Sequence, residues 1–308
     1  QRLPRGVARP KEQPVMPDRR LLVIANPISG RGHAKRLLPH FAELASAADV
    51  EIEIKLTEHA GHGREIAANA AASGFDAVIA VGGDGTLNEV INGLGPHGLP
   101  MMVIPQGTGN VLAKEIRASR KVMDYIDAVK HWRVAKRDLG RLQDGRLFSC
   151  FVGAGFDGQC TRALAERDGA IHIAQYVPIM WKAIKHSDFR TLKVDAEDQQ
   201  LDSVNYTLVS ITPEYGGPMW LTGKAKPDDG RFDVLTVHER VTPLSLVKLV
   251  SFAMMRRMGH VNSTRFFRTK KVRVTADEEV PIQVDGDFAG FLPIEAEVLP
   301  NALSYFKR

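Results

Sequence analysis

The chain has 308 residues, 44% hydrophobic and 25% charged, with 27 glycines and 17 prolines, a length and make-up that exclude a disordered, collagenous or disulfide-stapled protein. Its two cysteines, Cys150 and Cys160, are too few for a four-ligand zinc site and suit a reducing compartment. The net charge of +5 is uneven: nine Lys/Arg and no acid lie from Arg240 to Ala276, residues 1–20 hold six basic and two acidic residues, and the rest holds 26 basic against 34 acidic. An acidic body bearing two basic segments is implied.

Residues 1–18 are Pro- and Arg-rich without periodicity and read as a disordered tail. They lack the apolar core of a signal peptide, and no run in the chain approaches the roughly 18 apolar residues of a membrane span. A cytoplasmic location is expected. From Arg19 to Arg137 strands alternate with helices. Leu21–Ala25 is a short apolar run ending at Asn26-Pro27, and Leu37, Leu38, Phe41, Leu44 and Ala45 form a helical stripe interrupted by Pro39. Glu51–Leu56 alternates as a strand; helix at 65–72, strand at 77–81, helix at 87–94 and strand at 101–104 follow. This order predicts an α/β domain whose parallel sheet is covered on both faces. After Asp138 the chain turns β-rich and mainly antiparallel, with strand-like runs at 147–152, 205–211, 232–237, 271–275 and 282–284 and helical stretches near 161–186 and 243–258. The expected organisation is 19–137, then 138–298, then a segment 299–308 free to return to the first domain.

Three glycine-bearing loops fall at predicted carboxyl ends of parallel strands: Asn26-Pro27-Ile28-Ser29-Gly30, Gly82-Gly83-Asp84-Gly85-Thr86 and Pro105-Gln106-Gly107-Thr108-Gly109-Asn110. Glycines let backbone approach a phosphate, and a following helix N-terminus offers free N–H groups. Any one of them is also an ordinary strand-to-helix turn, and Thr86 with Glu89 spells a capping box. Three in succession favour a phosphate-bearing ligand. No GxxxxGK[ST] or protein-kinase HRD/DFG set occurs. Gly153–Gly158 spells GxGxxG but lies in the β-rich half, outside a βαβ unit. Asp144-Gly145, Asp229-Gly230 and Asp285-Gly286 each read as a hairpin turn, and His59 and His62 as loop residues.

Together with Asp138-Leu139-Gly140, Gly153-Ala154-Gly155-Phe156-Asp157, Asp228-Asp229-Gly230 and Asp285-Gly286-Asp287, these loops resemble the diacylglycerol kinase catalytic-domain family, related to sphingosine and ceramide kinases, in family order from residue 26 to 287. The resemblance implies an N-terminal α/β domain, a C-terminal β-sandwich and ATP in the cleft between them. It implies that Asn26, Pro27, Ile28, Ser29, Gly30, Thr57, Gly82, Gly83, Asp84, Gly85, Thr86, Leu87 and Thr108 hold the nucleotide. Asp229 would bind magnesium, with Lys226 and Arg231 contributing carbonyls. Asp287 would be the general base, where the family usually has Glu, and Asp84 would organise phosphates and metal. Asn110-Val111 stands where Asn-Asp is common. The implied activity is transfer of the γ-phosphate of ATP to a lipid hydroxyl of diacylglycerol, phosphatidylglycerol, sphingosine or ceramide. NAD kinase shares the GGDGT element and is the alternative enzyme; a catalytically weak, nucleotide-responsive membrane-binding protein is the other.

Within the basic segment, Leu246, Val247, Val250, Ala253, Met254 and Met258 share one helical face and read as core. Leu249, Phe252 and Met255 fall among Lys248 and Arg256 and, with Arg257, His260, Arg265, Arg268, Lys270 and Lys271, suit either a solvated basic face or transient contact with an anionic membrane. Tyr176, Ile179, Met180 and Trp181 read as core or as an acyl-pocket wall. No nucleic-acid-binding motif accompanies the charge, and a homodimer is left open.

Overall fold

The computed structural model describes residues 19–107, 109–119, 121–166, 191–215 and 219–307. Four apolar runs form parallel strands: β1 (Arg20–Ala25), β2 (Glu51–Leu56), β3 (Ala77–Gly82) and β4 (Met101–Pro105), in the order β2-β1-β3-β4. β2 alternates because it is the edge; β3 is buried throughout. Between them run α1 (Ser29–Ser46), α2 (His62–Ala68), α3 (Asp84–Leu94), α4 (Val111–Glu115) and α5 (Val122–Lys130). Phe41 and Ile126 from α1 and α5 pack on Leu21, Val23 and Ile79, while Leu87, Val90 and Ile91 of α3 pack on Leu22, Ile24 and Val78 across the sheet. Both faces are covered, as the strand–helix alternation predicts.

The second half holds β5 (Val134–Leu142), β6 (Leu147–Phe148), β7 (Phe151–Ala154), α6 (Phe156–Ala165), β8 (Leu192–Ala196), β9 (Gln199–Val204), β10 (Tyr206–Ser210), β11 (Glu214–Tyr215) and β12 (Met219–Trp220). After these come β13 (Phe232–Val237), α7 (Pro243–Met254), β14 (Thr264–Thr269), β15 (Lys271–Ala276), β16 (Pro281–Val284), β17 (Asp287–Phe291) and β18 (Ile294–Phe306). A six-stranded antiparallel sheet, β14-β13-β10-β7-β16-β17, packs on the sheet that contains β5, β15, β8 and β9. Phe148, Val194, Val209, Phe232, Val272, Ile282 and Ile294 fill the space between them. The thirteen-residue β18 pairs with β15 and β5 and meets β4 at Tyr305 and Met101, so one ten-stranded sheet runs from the parallel half into the sandwich.

Two expectations are corrected. The run 147–152 is two strands, β6 pairing with β5 and β7 with β10, because the chain changes sheets at Ser149-Cys150. In α7, started by a Thr242/Ser245 capping box with Pro243 behind it, Leu249 and Ala253 are buried while Val247 and Met254 are exposed. Apolar residues surround most of this helix, so periodicity alone could not phase it. The predicted helix near 161–186 begins at Phe156 and is described to Ala165. The tail 1–18 and Tyr176, Ile179, Met180 and Trp181 lie outside the described residues, as does Thr108.

Candidate active site

The carboxyl ends of the parallel strands place Asn26, Thr57, Gly82 and Gln106 side by side: Asn26 N–H donates to Val81 O (3.0 Å), Thr57 N–H to Ala25 O (2.9 Å) and Gln106 N–H to Gly82 O (2.8 Å). After Asn26-Pro27 and a solvent-facing Ile28, Ser29 opens α1, but Gly30, Arg31 and Gly32 all take positive φ (61°, 57° and 80°) before regular helix resumes. A methyl group on Gly30 would lie 2.7 Å from Gln106 O, so only glycine permits the contact. Gly83 and Gly107 likewise meet backbone to backbone, a Cβ on Gly107 lying 2.7 Å from Gly83 Cα. The first, second and third glycine loops therefore form one surface, with Leu87 buried beneath it.

Asp84 lies in the first turn of α3, and its carboxylate clamps the third loop, accepting from Asn110 N–H at 2.6 Å and Val111 N–H at 2.7 Å. Burial raises its proton affinity, against those two hydrogen bonds, and the charge of Asp285 raises it further. The Thr86–Glu89 capping box is not formed. The Thr86 side chain instead covers Gly82, and Glu89 accepts from Gly61 N–H (2.8 Å) and Gly63 N–H (2.9 Å), pinning the loop after Thr57. His59 and His62 stack in that loop with ring centroids 4.8 Å apart.

The hairpin β16–β17 brings the sandwich to this surface. Its turn is Asp285-Gly286, with φ of 49° and 96°, the two left-handed positions that a two-residue hairpin requires. Asp285 accepts from the N–H groups of Ser149 (2.7 Å), Cys150 (2.8 Å) and Phe151 (3.0 Å), the stretch where the chain changes sheets, and from Asn88 Nδ2 of α3 at 3.4 Å. Asn92, one turn on, makes a two-way pair with Leu147, donating at 3.0 Å and accepting at 2.8 Å. These contacts fix Asp287, which opens β17 with its Oδ2 3.9 Å from a methyl group built on Gly85. Burial, then the charges of Asp285 and Asp84, raise its pKa above the usual carboxylate value. The structure thus brings together both predicted catalytic carboxylates and the described nucleotide-loop residues.

A second set behind the turn carries no role in the sequence reading. Asp157 is buried and accepts from Gln283 Nε2 (3.1 Å), Tyr206 OH (3.2 Å), Tyr215 OH (3.2 Å) and Gly158 N–H (2.8 Å). Burial pushes its pKa up to about 6 against these four hydrogen bonds. Gln283 Oε1 in turn accepts Gly286 N–H at 2.8 Å, so the chain of bonds ends on the turn that carries Asp287. Gly153 lies under Asp157, where any side chain would clash, which accounts for that glycine without a ligand. Only the Gly153–Asp157 motif signalled this set; Gln283, Tyr206 and Tyr215 are distant in sequence and read as ordinary strand residues. Arg137 is buried beside the Ser149-Cys150 stretch, donating Nη2 to Ser149 O at 2.9 Å.

Lys226, Asp229 and Arg231 lie apart, between β12 and β13. Asp229-Gly230 is not a hairpin turn, since those two strands do not pair with each other; Asp144-Gly145, between β5 and β6, is one. Asp138 holds the 227–230 segment, accepting from Gly230 N–H (2.7 Å) and Asn301 N–H (2.8 Å) and donating its own N–H to Pro227 O (2.7 Å). Asp229 itself is ion-paired with Arg268. One carboxylate beside backbone carbonyls is a donor set that magnesium takes with several retained waters, and Arg268 competes with such an ion for the Asp229 carboxylate.

Comparison with known proteins covers both halves. Residues 20–142 match the diacylglycerol kinase catalytic domain, and residues 150–307 match the YegS C-terminal NAD kinase beta sandwich-like domain. A diacylglycerol kinase of Bacillus subtilis is 30% identical over 288 residues, covering 90% of this chain and 92% of the relative. One of Staphylococcus saprophyticus is 28% identical, covering 89% and 91%. Among solved structures, a diacylglycerol kinase from Bacillus anthracis superposes with a TM-score of 0.69 at 19% identity over 94% of this chain and 97% of that one. A second crystal structure from the same organism reaches 0.77 at 20% identity with the same coverage. The structural likenesses establish the fold.

Proposed function

Because the chain belongs to the diacylglycerol kinase catalytic-domain family, we propose that it is a lipid kinase transferring the γ-phosphate of ATP to the hydroxyl of diacylglycerol or a related lipid. The observation that carries this reading is the position of Asp287, a carboxylate of raised proton affinity facing Gly85 where α3 begins. Phosphoryl transfer asks little covalent chemistry of a protein; it needs held phosphates, an aligned hydroxyl and an acceptor for its proton. Backbone N–H groups of the glycine loops and the positive end of α3 supply the first. Ionised Asp287 supplies the last, taking the hydroxyl proton as the oxygen attacks the γ-phosphorus and the bond to the β-phosphate oxygen breaks. The nucleotide enters as its magnesium complex, and Asp84 acts by holding the third loop closed on the first two.

The test is incubation with labelled ATP and magnesium against diacylglycerol, phosphatidylglycerol, sphingosine, ceramide and NAD. Label in one or more lipids is the expected result. Label in NADP alone would overturn the lipid assignment, and ATP binding without any product would turn the reading towards a nucleotide-responsive binding protein.

A further inference from the structure

Outside the cleft, α7 presents an apolar face to solvent. Leu244 is 80% exposed, Val247 59%, Met254 56% and Met255 54%, and their spacing puts them on one side of the helix, with Lys248 among them. The opposite side, through Leu249 and Ala253, is buried. A short turn at Met258–His260 leads on to β14, an edge strand, where Arg265 and Phe266 are exposed as well. The charges here are of one sign: no acidic residue occurs between Arg240 and Ala276. Farther along, Arg268, Lys271 and Arg273 are ion-paired with Asp229 or Glu295, but Lys248, Arg257 and Arg265 form no ion pair among the described residues.

We infer that this face, α7 with the start of β14, is the surface by which the protein docks on an anionic lipid bilayer, an inference that rests on the lipid-kinase reading for its purpose but not for its evidence. Exposed aliphatic and thioether side chains interspersed with unpaired cations match an interface that is apolar below and negative above. A second copy of the chain would set like charges against each other, and a nucleic acid would leave the apolar residues in water. The face is also joined to the cleft. Arg256 lies over the Trp220 ring of β12 at 3.7 Å, β12 pairs with β11, and Tyr215 of β11 donates to Asp157, whose bonds run through Gln283 to the turn bearing Asp287. Docking through α7 therefore sets the paired strands β11 and β12, and the cleft behind them, against the lipid.

The experiment is co-sedimentation of the full chain with vesicles of phosphatidylcholine alone and of phosphatidylcholine mixed with phosphatidylserine, at low and high salt. Binding should require phosphatidylserine and fall with salt. Replacing Lys248, Arg257 and Arg265 by Gln should weaken it about fivefold per charge, roughly 10²-fold together. Leu244→Ser with Val247→Ser should weaken it at every salt concentration. All five positions are exposed, and an unchanged melting temperature and ATP-induced thermal shift confirm that each variant is folded. Activity on diacylglycerol in detergent micelles should be retained while activity on vesicles falls. Equal binding to both vesicle types, unaltered binding by the variants, or charge-dependent retention on a DNA duplex without vesicle binding would each overturn the inference. Vesicle binding is read without catalysis, so a chain that docks but phosphorylates no lipid would count against the kinase reading and leave this one standing.

Discussion

Asp287 and Asp157 are both carboxylates of raised pKa, yet their surroundings ask different things of them. Asp287 faces the glycine loop with solvent beside it, so its charge is available to a substrate. Asp287→Asn should leave the KM for ATP near its original value and lower kcat about 10²–10⁴-fold. Since only the ionised form accepts a proton, activity should rise with pH through a limb above the ordinary aspartate range, and the Asn variant should lose that limb. Asp287→Glu, one methylene longer, tests whether the cleft is built around the shorter side chain: a gain in kcat means it is not, and a loss means that it is. Asp157 is sealed beneath α6, on the face of the six-stranded sheet away from the sandwich core. Its folded-state pKa of about 6 lies above the ordinary aspartate value of 3.8, so the native state binds the proton more tightly and stability falls as pH rises through that window. Measured against Asp157→Asn, which does not titrate, the wild type should lose about 2 kcal/mol of relative stability between pH 4 and pH 7. A difference independent of pH in urea melts would show that the carboxyl group keeps its ordinary pKa.

At the scale of elements, α3 does the joining. Its first turn supplies Asp84 and Gly85 to the glycine surface, and its outer side hooks the sandwich through Asn88 and Asn92. Gly85 separates packing from chemistry. A methyl group there makes only ordinary contact at 3.9 Å, and alanine favours a helix over glycine by about 0.5–1 kcal/mol. Gly85→Ala should therefore melt no lower than wild type, yet lose turnover by up to about 10²-fold, because the methyl narrows the gap to Asp287 through which the phosphoryl group must pass. Gly30→Ala is the opposite case. Its positive φ and the 2.7 Å approach to Gln106 O should cost about 1–3 kcal/mol, seen as a lower melting temperature and a weaker ATP-induced thermal shift.

Across the whole molecule, β18 ties the two halves. It borders β5 along most of its length, takes β15 on the other side and reaches β4 at its end, while Asn301 N–H holds Asp138. Ending the chain at residue 298 would strip β5 of half its partner and leave part of its backbone unpaired in the interior. The shortened chain should lose the cooperative melt of both halves together, and circular dichroism should show a broad or absent transition in place of one sharp step. Among the described residues no helix is long and apolar enough to cross a membrane.

The sequence alone determined the parallel sheet of the first half, because short apolar runs that end at glycine or proline alternate there with segments of helical period. It also placed the three glycine loops at the strand ends and marked the Asp285-Gly286 hairpin, since turn chemistry is local. It could not phase α7, where apolar residues face nearly every direction, nor see that the run 147–152 changes sheets, because the carboxylate that receives its N–H groups is more than 130 residues away. The capping-box reading of Thr86 and Glu89 failed for the same reason: Glu89 has a better use in a neighbouring loop. Long-range closure alone decided that Asp287 meets Gly85 and that Asp157 reaches the same turn through Gln283. Those contacts join residues more than 120 positions apart in the chain, and no local propensity encodes a distance that exists only once both sheets have packed.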